Sequence, residues 1–162
     1  MTIDGTDVPI YDPAPYPHSK KWWSHKFKSS GFRYEVAVCI QTGDIVWING
    51  PFPCGRWPDI NIFRRNLIHM LLPGKMVEAD EGCRGERRRV RTTKHYASWA
   101  DYYAKKAARA RHETCNKRLK QWKILKQVHR HDRDKHASVF AAVAVCTQIS
   151  LENGEPLYEV TY

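Results

Sequence analysis

The period of the hydrophobic and polar positions changes several times along this chain, and each change marks an element. Residues 33–41 and 45–49 alternate apolar with polar side chains, the period of paired strands, and Thr42-Gly43-Asp44 between them predicts a tight hairpin turn. Residues 2–10 predict a short first strand, followed by a proline-rich loop over 11–28 that carries Trp22 and Trp23. After Pro51, Pro53 and Gly55, the run Trp57-Pro58-Asp59 opens a helix with Pro58 placed for its first turn. Ile62, Phe63, Leu67, Met70 and Leu71 then recur at helical spacing until Pro73-Gly74 stops it. Residues 76–80 read as a buried strand that ends on Asp80 and a glycine turn, and 87–91 as a basic connector. A long helix, basic over most of its surface, is predicted from 98 to about 126. A second is predicted from 132 to about 152, where Val139, Phe140, Val143, Ala144 and Ile149 make it nearly all core.

The order of three strands, a helix, a strand and two helices resembles that of the ribonuclease H-like nuclease fold. This is an α/β architecture whose mixed sheet begins with three antiparallel strands and is flanked by helices. With 162 residues, 42% of them hydrophobic, the chain is long enough for one domain with a real core, expected over 1–162, and no internal repeat breaks it up.

Charge narrows the partners. Residues 84–135 hold 18 Lys and Arg against 5 Asp and Glu, whereas the whole chain nets +10, so the remainder is slightly acidic. Such polarity suits a polyanion, and nucleic acid is the commonest, because every neutralised phosphate releases counterions. A merely solvated basic face is the ordinary alternative. The five cysteines are odd in number and never two apart, which reads as reduced thiols rather than a disulfide framework or a zinc site. His129, His131 and His136 lack a partner at metal-site spacing and read as surface histidines near phosphate. No signal peptide is apparent and the apolar run 137–149 is too short to span a bilayer, so a soluble protein with no membrane partner and no small-molecule cofactor is expected.

Three acidic residues stand apart from this background. Asp4 in Ile-Asp-Gly-Thr and Asp80 in Val-Glu-Ala-Asp-Glu-Gly belong to predicted strands, the second at a carboxyl end, where ligands meet open α/β sheets. Glu113 lies inside the basic helix on one polar stripe with Arg109, Asn116 and Lys120, at steps of four, three and four. Three carboxylates from two strands and a helix suit Mg²⁺ (or Mn²⁺): hard cations take oxygen ligands, and two ions can activate an attacking oxygen and stabilise the leaving one. Asp7 is a rival to Asp4. Asp59 has a simpler reading as a helix first-turn acid, favoured by the helix dipole, and is a secondary candidate. Arg109 and Lys120 would border the carboxylates with charge suited to phosphates, and Arg87, Arg88 and Arg89 read as further phosphate contacts. Of the tryptophans Trp22, Trp23, Trp99 and Trp122, half are expected in the core. The Trp22 loop, with Lys20, Lys21, Lys26 and Lys28, is the better place for unpaired bases.

Taken with their spacing, these motifs make the chain resemble the DDE superfamily endonuclease domain of Harbinger-type and related insertion-sequence transposases, over essentially its whole length. Asp4-Gly5-Thr6 matches the first family aspartate, Asp80-Glu81-Gly82 the second, and Arg109, Glu113 and Lys120 the glutamate signature. Asp59 matches a further aspartate that recurs in the Harbinger branch. The resemblance implies a ribonuclease H-like fold, DNA as partner, and Mg²⁺-dependent strand cleavage and transfer with Asp4, Asp80 and Glu113 as metal ligands. It implies nuclear residence in a eukaryotic source, and an intracellular one otherwise. Cys83 and Lys106 stand where the family usually has tyrosines. The helical DNA-binding region that normally precedes the first catalytic strand is expected to be missing. End recognition would then come from a separate DNA-binding protein or a homo-oligomer. A decayed or domesticated domain that binds nucleic acid without cutting it is the alternative.

Overall fold

The computed structural model describes residues 1–12, 19–92, 94 and 96–161, and within these the chain forms a six-stranded, mostly antiparallel sheet with helices on both faces. The strands are β1 (Thr2–Pro9), β2 (Trp23–Ser24), β3 (Ser29–Val38), β4 (Ile45–Pro53), β5 (Val77–Ala79) and β6 (Val90–Arg91). The helices are α1 (Asp59–Arg65), α2 (Leu67–Met70), α3 (Trp99–Gln121), α4 (Lys123–Lys126) and α5 (His136–Glu152). The expected three-stranded antiparallel start is present as β1, β3 and β4 with β3 in the middle, while β5 runs parallel to β1 and β6 parallel to β5.

The register of β1 against β3 pairs Asp4 with Val36 and Val8 with Phe32, and directly opposed residues share a face. Even-numbered positions therefore look one way and odd-numbered positions the other. On the even face Val8, Phe32, Tyr34, Val36 and Val38 pack with Cys115 and Leu119 of α3, Leu125 of α4, and Phe140, Val143 and Ala144 of α5. On the odd face Ile3 and Ala37 pack with Phe63, Leu67 and Leu71 of the α1–α2 side and with Val77, Ala79 and Cys83. The sheet is thus buried from both sides.

Helix α3 begins as its sequence requires. The Ser98 hydroxyl accepts from the Asp101 amide at 3.2 Å and the Asp101 carboxylate accepts from the Ala97 amide at 2.9 Å, a reciprocal cap. Its inner stripe is Lys105, Ala108, His112, Cys115 and Leu119, with Arg111 beside it, so the buried side is itself largely polar. Arg111, 2% exposed, donates to the carbonyls of Cys39 and Ile40 and fastens the helix to the β3–β4 hairpin.

Several expectations need correction. The first predicted helix is two pieces, broken at Asn66, whose backbone leaves the helical region and whose amide donates to Asn49 Oδ1 at 3.0 Å. Met70 is 68% exposed. The long helix likewise breaks at Trp122, where the indole donates to Thr147 Oγ1, and resumes as α4. The last helix begins at His136 after a single 3-10 turn over Arg133–Lys135, and Val145 and Ile149 are 58% and 53% exposed, so it is not nearly all core. The loop over 11–28 lies partly outside the described residues (13–18), but its end forms β2; β4 continues through Pro51 to Pro53, and the basic connector ends in β6. His129 and His136 are buried rather than on the surface: the His136 ring stacks on Tyr34 and its Nδ1 shares a 2.7 Å hydrogen bond with the Tyr34 hydroxyl. No helix among the described residues is long and apolar enough to cross a membrane.

Candidate active site

A cleft of about 360 Å³ opens at the edge of the even face, between β1, the end of β5, the β2–β3 turn and the middle of α3. Its floor is the β1 stripe Thr2, Asp4 and Thr6, and its far wall is Arg109, His112, Glu113, Asn116, Lys117 and Lys120 of α3. Register brings the two aspartates side by side. Ile3 is level with Ala79 on the parallel neighbour β5, so the next residues, Asp4 and Asp80, end up at the same height and on the same face. Asp80 then caps the 3-10 turn Glu81–Cys83, its Oδ1 accepting from the Gly82 amide at 2.8 Å.

Helix α3 is docked to β1 by two hydrogen bonds that bracket Glu113. Thr2 Oγ1 and His112 Nδ1 are 2.7 Å apart, and Asn116 Nδ2 donates to Asp4 Oδ2 at 2.8 Å. Asp4, Asp80 and Glu113 therefore line one cleft. Burial, reinforced by the charges of Asp80 and Asp59, pushes the Asp4 carboxyl up to about 6, against the pull of Lys26 and of the Gly5 amide. Burial, with Arg109 adding to it, drives the His112 imidazole down to about 3, so it docks as a neutral ring.

Asp7 does not line this cleft. It lies on the odd face, where Arg33 grips both its oxygens at 2.7 and 3.0 Å and the Ser24 hydroxyl donates to it at 2.6 Å. Burial alone would raise its carboxyl, but these hydrogen bonds outweigh burial and hold it below the ordinary aspartate value. Asp59, in the first turn of α1, also faces the sheet from the odd side. Its carboxylate meets Arg33 Nη1 at 3.2 Å and sits so close to β1 that a Cβ on Gly5 would come within 2.2 Å of Oδ1. Burial raises the Asp59 carboxyl, with Arg33 and Lys26 opposing and Asp80 adding to it, so it shares the field of the cleft without lining it. Glu35, beside it on β3, is buried, accepts from Trp47 Nε1 at 2.9 Å, and is pushed up to about 7, chiefly by burial.

Among the described residues no three His, Cys, Asp or Glu side chains gather closely enough to hold a metal ion. The donors that line the cleft are nonetheless hard oxygens, and the buried Asn116 Oδ1 beside Asp4 has no hydrogen-bond partner, so the set suits a hard divalent cation by type. Arg109 and Lys120 line the same cleft, as the helical stripe predicts. Arg87, Arg88 and Arg89 do not: Arg87 and Arg88 are exposed elsewhere, and Arg89 donates to the carbonyls of Leu72 and Lys75. Trp22 packs edge-on to Phe32 next to the core, whereas Trp99 is 68% exposed in a cluster with Tyr96, Tyr102 and Tyr103.

The buried pair Asp7–Arg33, Glu35, the His112 dock and the contact between Asp59 and Gly5 escape the sequence reading. One signal for the first two was present: Arg33 and Glu35 alternate with apolar residues on a strand buried on both faces, where charge needs a partner.

A family model described as DDE superfamily endonuclease matches residues 3–148, nearly the whole chain. No curated protein and no solved structure matches.

Proposed function

Because the chain belongs to the DDE superfamily endonuclease family, we propose that it is a transposase-derived DNA endonuclease domain of ribonuclease H-like fold, with Asp4, Asp80 and Glu113 as its catalytic carboxylates. The observation that carries this reading is the cleft itself, where two adjacent parallel strands and one helix each deliver an acidic side chain. Mg²⁺ or Mn²⁺, as two ions held by these carboxylates, would supply charge neutralisation at the phosphate and a water or 3′-hydroxyl activated for attack.

The surrounding residues have separate tasks. Asn116 fixes the rotamer of Asp4 through one oxygen, and the Gly82 amide does the same for Asp80. Arg109, Lys117 and Lys120 stand next to Glu113 on the same helix and offset the charge of a DNA strand laid along the cleft. Such contacts position a duplex without reading its sequence, so choice of site falls to a separate DNA-binding protein or a second copy of the chain.

The test is relaxation of supercoiled plasmid in Mg²⁺ or Mn²⁺. The wild-type chain nicks, and Asp80→Asn and Glu113→Gln lose nicking while binding DNA at least as tightly, because each removes negative charge beside the phosphate. Nicking that persists undiminished in Asp80→Asn removes the carboxylate assignment. A wild-type chain that binds DNA but never nicks it is a domesticated binding domain instead.

A further inference from the structure

We propose that Lys26, supplied by the β2–β3 turn, and Lys120, supplied by α3, close from opposite walls of the cleft on a single backbone phosphate of the bound DNA strand. This rests on the nuclease reading for the reaction, though not for the binding.

Lys26 reaches the cleft because its turn is built to put it there. Ser24 is fully buried, and its hydroxyl donates to Asp7 and accepts from the Lys26 amide at 3.2 Å. The Lys28 amide donates back to the Ser24 carbonyl at 2.9 Å, and Lys28 takes the left-handed conformation (φ 53°) that closes the turn. Phe27 packs against Gly31, where any Cβ would come within 2.5 Å of its Cζ. With the aromatic side chain anchored below, Lys26 is directed over β1, and its Nζ donates to the Gly5 carbonyl at 2.6 Å, one residue from Asp4. An ammonium has three protons, and this bond uses one.

Lys120 lines the other wall. Burial lowers its basicity, and the Lys26 charge lowers it further, so the two ammonium groups lie within each other's field. Holding a second like charge beside the partly buried Lys120 is unfavourable until an anion sits between them. Asp7 and then Asp4 offset part of it from the β1 side. An anion of one charge with several oxygens, beside the catalytic carboxylates, is a DNA phosphate.

The experiment measures affinity for a short DNA duplex against NaCl in EDTA, where cutting cannot intervene, and then nicking in Mg²⁺. Lys26→Gln is expected to lower the salt slope by about one unit and nicking by about tenfold, while Lys26→Arg keeps the slope. Lys75→Gln, exposed in the turn before β5 and not lining the cleft, is expected to leave both unchanged. Lys120→Gln and the Lys26→Gln/Lys120→Gln double variant are each expected to lose about one unit as well, because one phosphate is at stake. A double variant that loses about two units places the lysines on separate phosphates and overturns the shared clamp. An unchanged slope in Lys26→Gln, with only a lower Tm, makes Lys26 a strut for the Gly5 carbonyl and overturns the proposal outright. Failure of the wild-type chain to nick would count against the endonuclease reading alone, since the salt slopes are read without cutting.

Discussion

Asn116 and Asp4, 112 positions apart, meet through one 2.8 Å hydrogen bond, and that bond ties strand β1 to helix α3 across the cleft. Its loss has two expected effects. Asn116→Ala leaves a partly buried carboxylate oxygen without its donor, at a cost of about 1–3 kcal/mol read by urea denaturation. It also frees the Asp4 rotamer, so nicking falls by more than the stability loss explains. Equal nicking per folded molecule in Asn116→Ala and wild type would show that the amide is structural only.

Gly5 has no room for a side chain. Its φ is unremarkable, but the Asp59 carboxylate, held by Arg33, occupies the space a Cβ needs. Gly5→Ala must push Asp59 aside or bend β1 at the residue next to Asp4, and overpacking of this kind costs about 1–3 kcal/mol. Pairing it with Asp59→Ala should recover part of the lost Tm, since the second change reopens the space. If the double variant is no more stable than the sum of the singles, the clash is not the cause.

How much of this was legible from the sequence differs by residue. Asp4, Asp80 and Glu113, which line one cleft, could be singled out because short local motifs mark them, and the β1–β3–β4 hairpin order could be read from alternation and a glycine turn. The face each residue takes could not. Asp4 and Asp7 are three apart on a strand of period two, so they must point opposite ways, yet only the pairing of Asp4 with Val36 says which way is the cleft. The helix breaks at Asn66 and Trp122 were hidden because each depends on a distant partner, Asn49 and Thr147, rather than on a local breaker. His129 and His136 were misread for a related cause: a histidine in a run of charged residues looks solvated, yet Tyr34 gives His136 a buried partner and His129 packs edge-on against the His136 ring.

Glu35 sets an expected pH dependence. Its carboxyl is raised from 4.5 to about 7 in the fold, mainly by burial. A folded value above the unfolded one means that its contribution is fully present below the unfolded value and is lost as pH rises through about 7. Wild type should therefore lose stability between about pH 4.5 and 8 from this group, by an amount on the order of 3 kcal/mol. Glu35→Gln keeps an acceptor for the Trp47 indole and carries no charge, so its urea midpoint should stay flatter over that range. Parallel curves for the two proteins would mean that Glu35 is hydrated and titrates normally.

The three consecutive arginines Arg87, Arg88 and Arg89 look alike in sequence but have different surroundings. Arg89 donates through Nη1 to the Leu72 carbonyl at 2.8 Å and the Lys75 carbonyl at 3.3 Å, holding the turn that leads into β5 and so, indirectly, the position of Asp80. Arg87 and Arg88 are exposed. Arg89→Ala is therefore expected to lower stability by about 1–2 kcal/mol and to reduce nicking with it, through the turn rather than through DNA. Arg87→Ala and Arg88→Ala should leave Tm within about 0.5 kcal/mol of wild type, as surface changes do. If they touch DNA, each lowers the salt slope by about one unit. Calorimetry and salt-dependent binding on the three single variants separate the roles. A salt-slope loss confined to Arg89→Ala, with Tm unchanged, would reverse the assignment and make the buttress a phosphate contact.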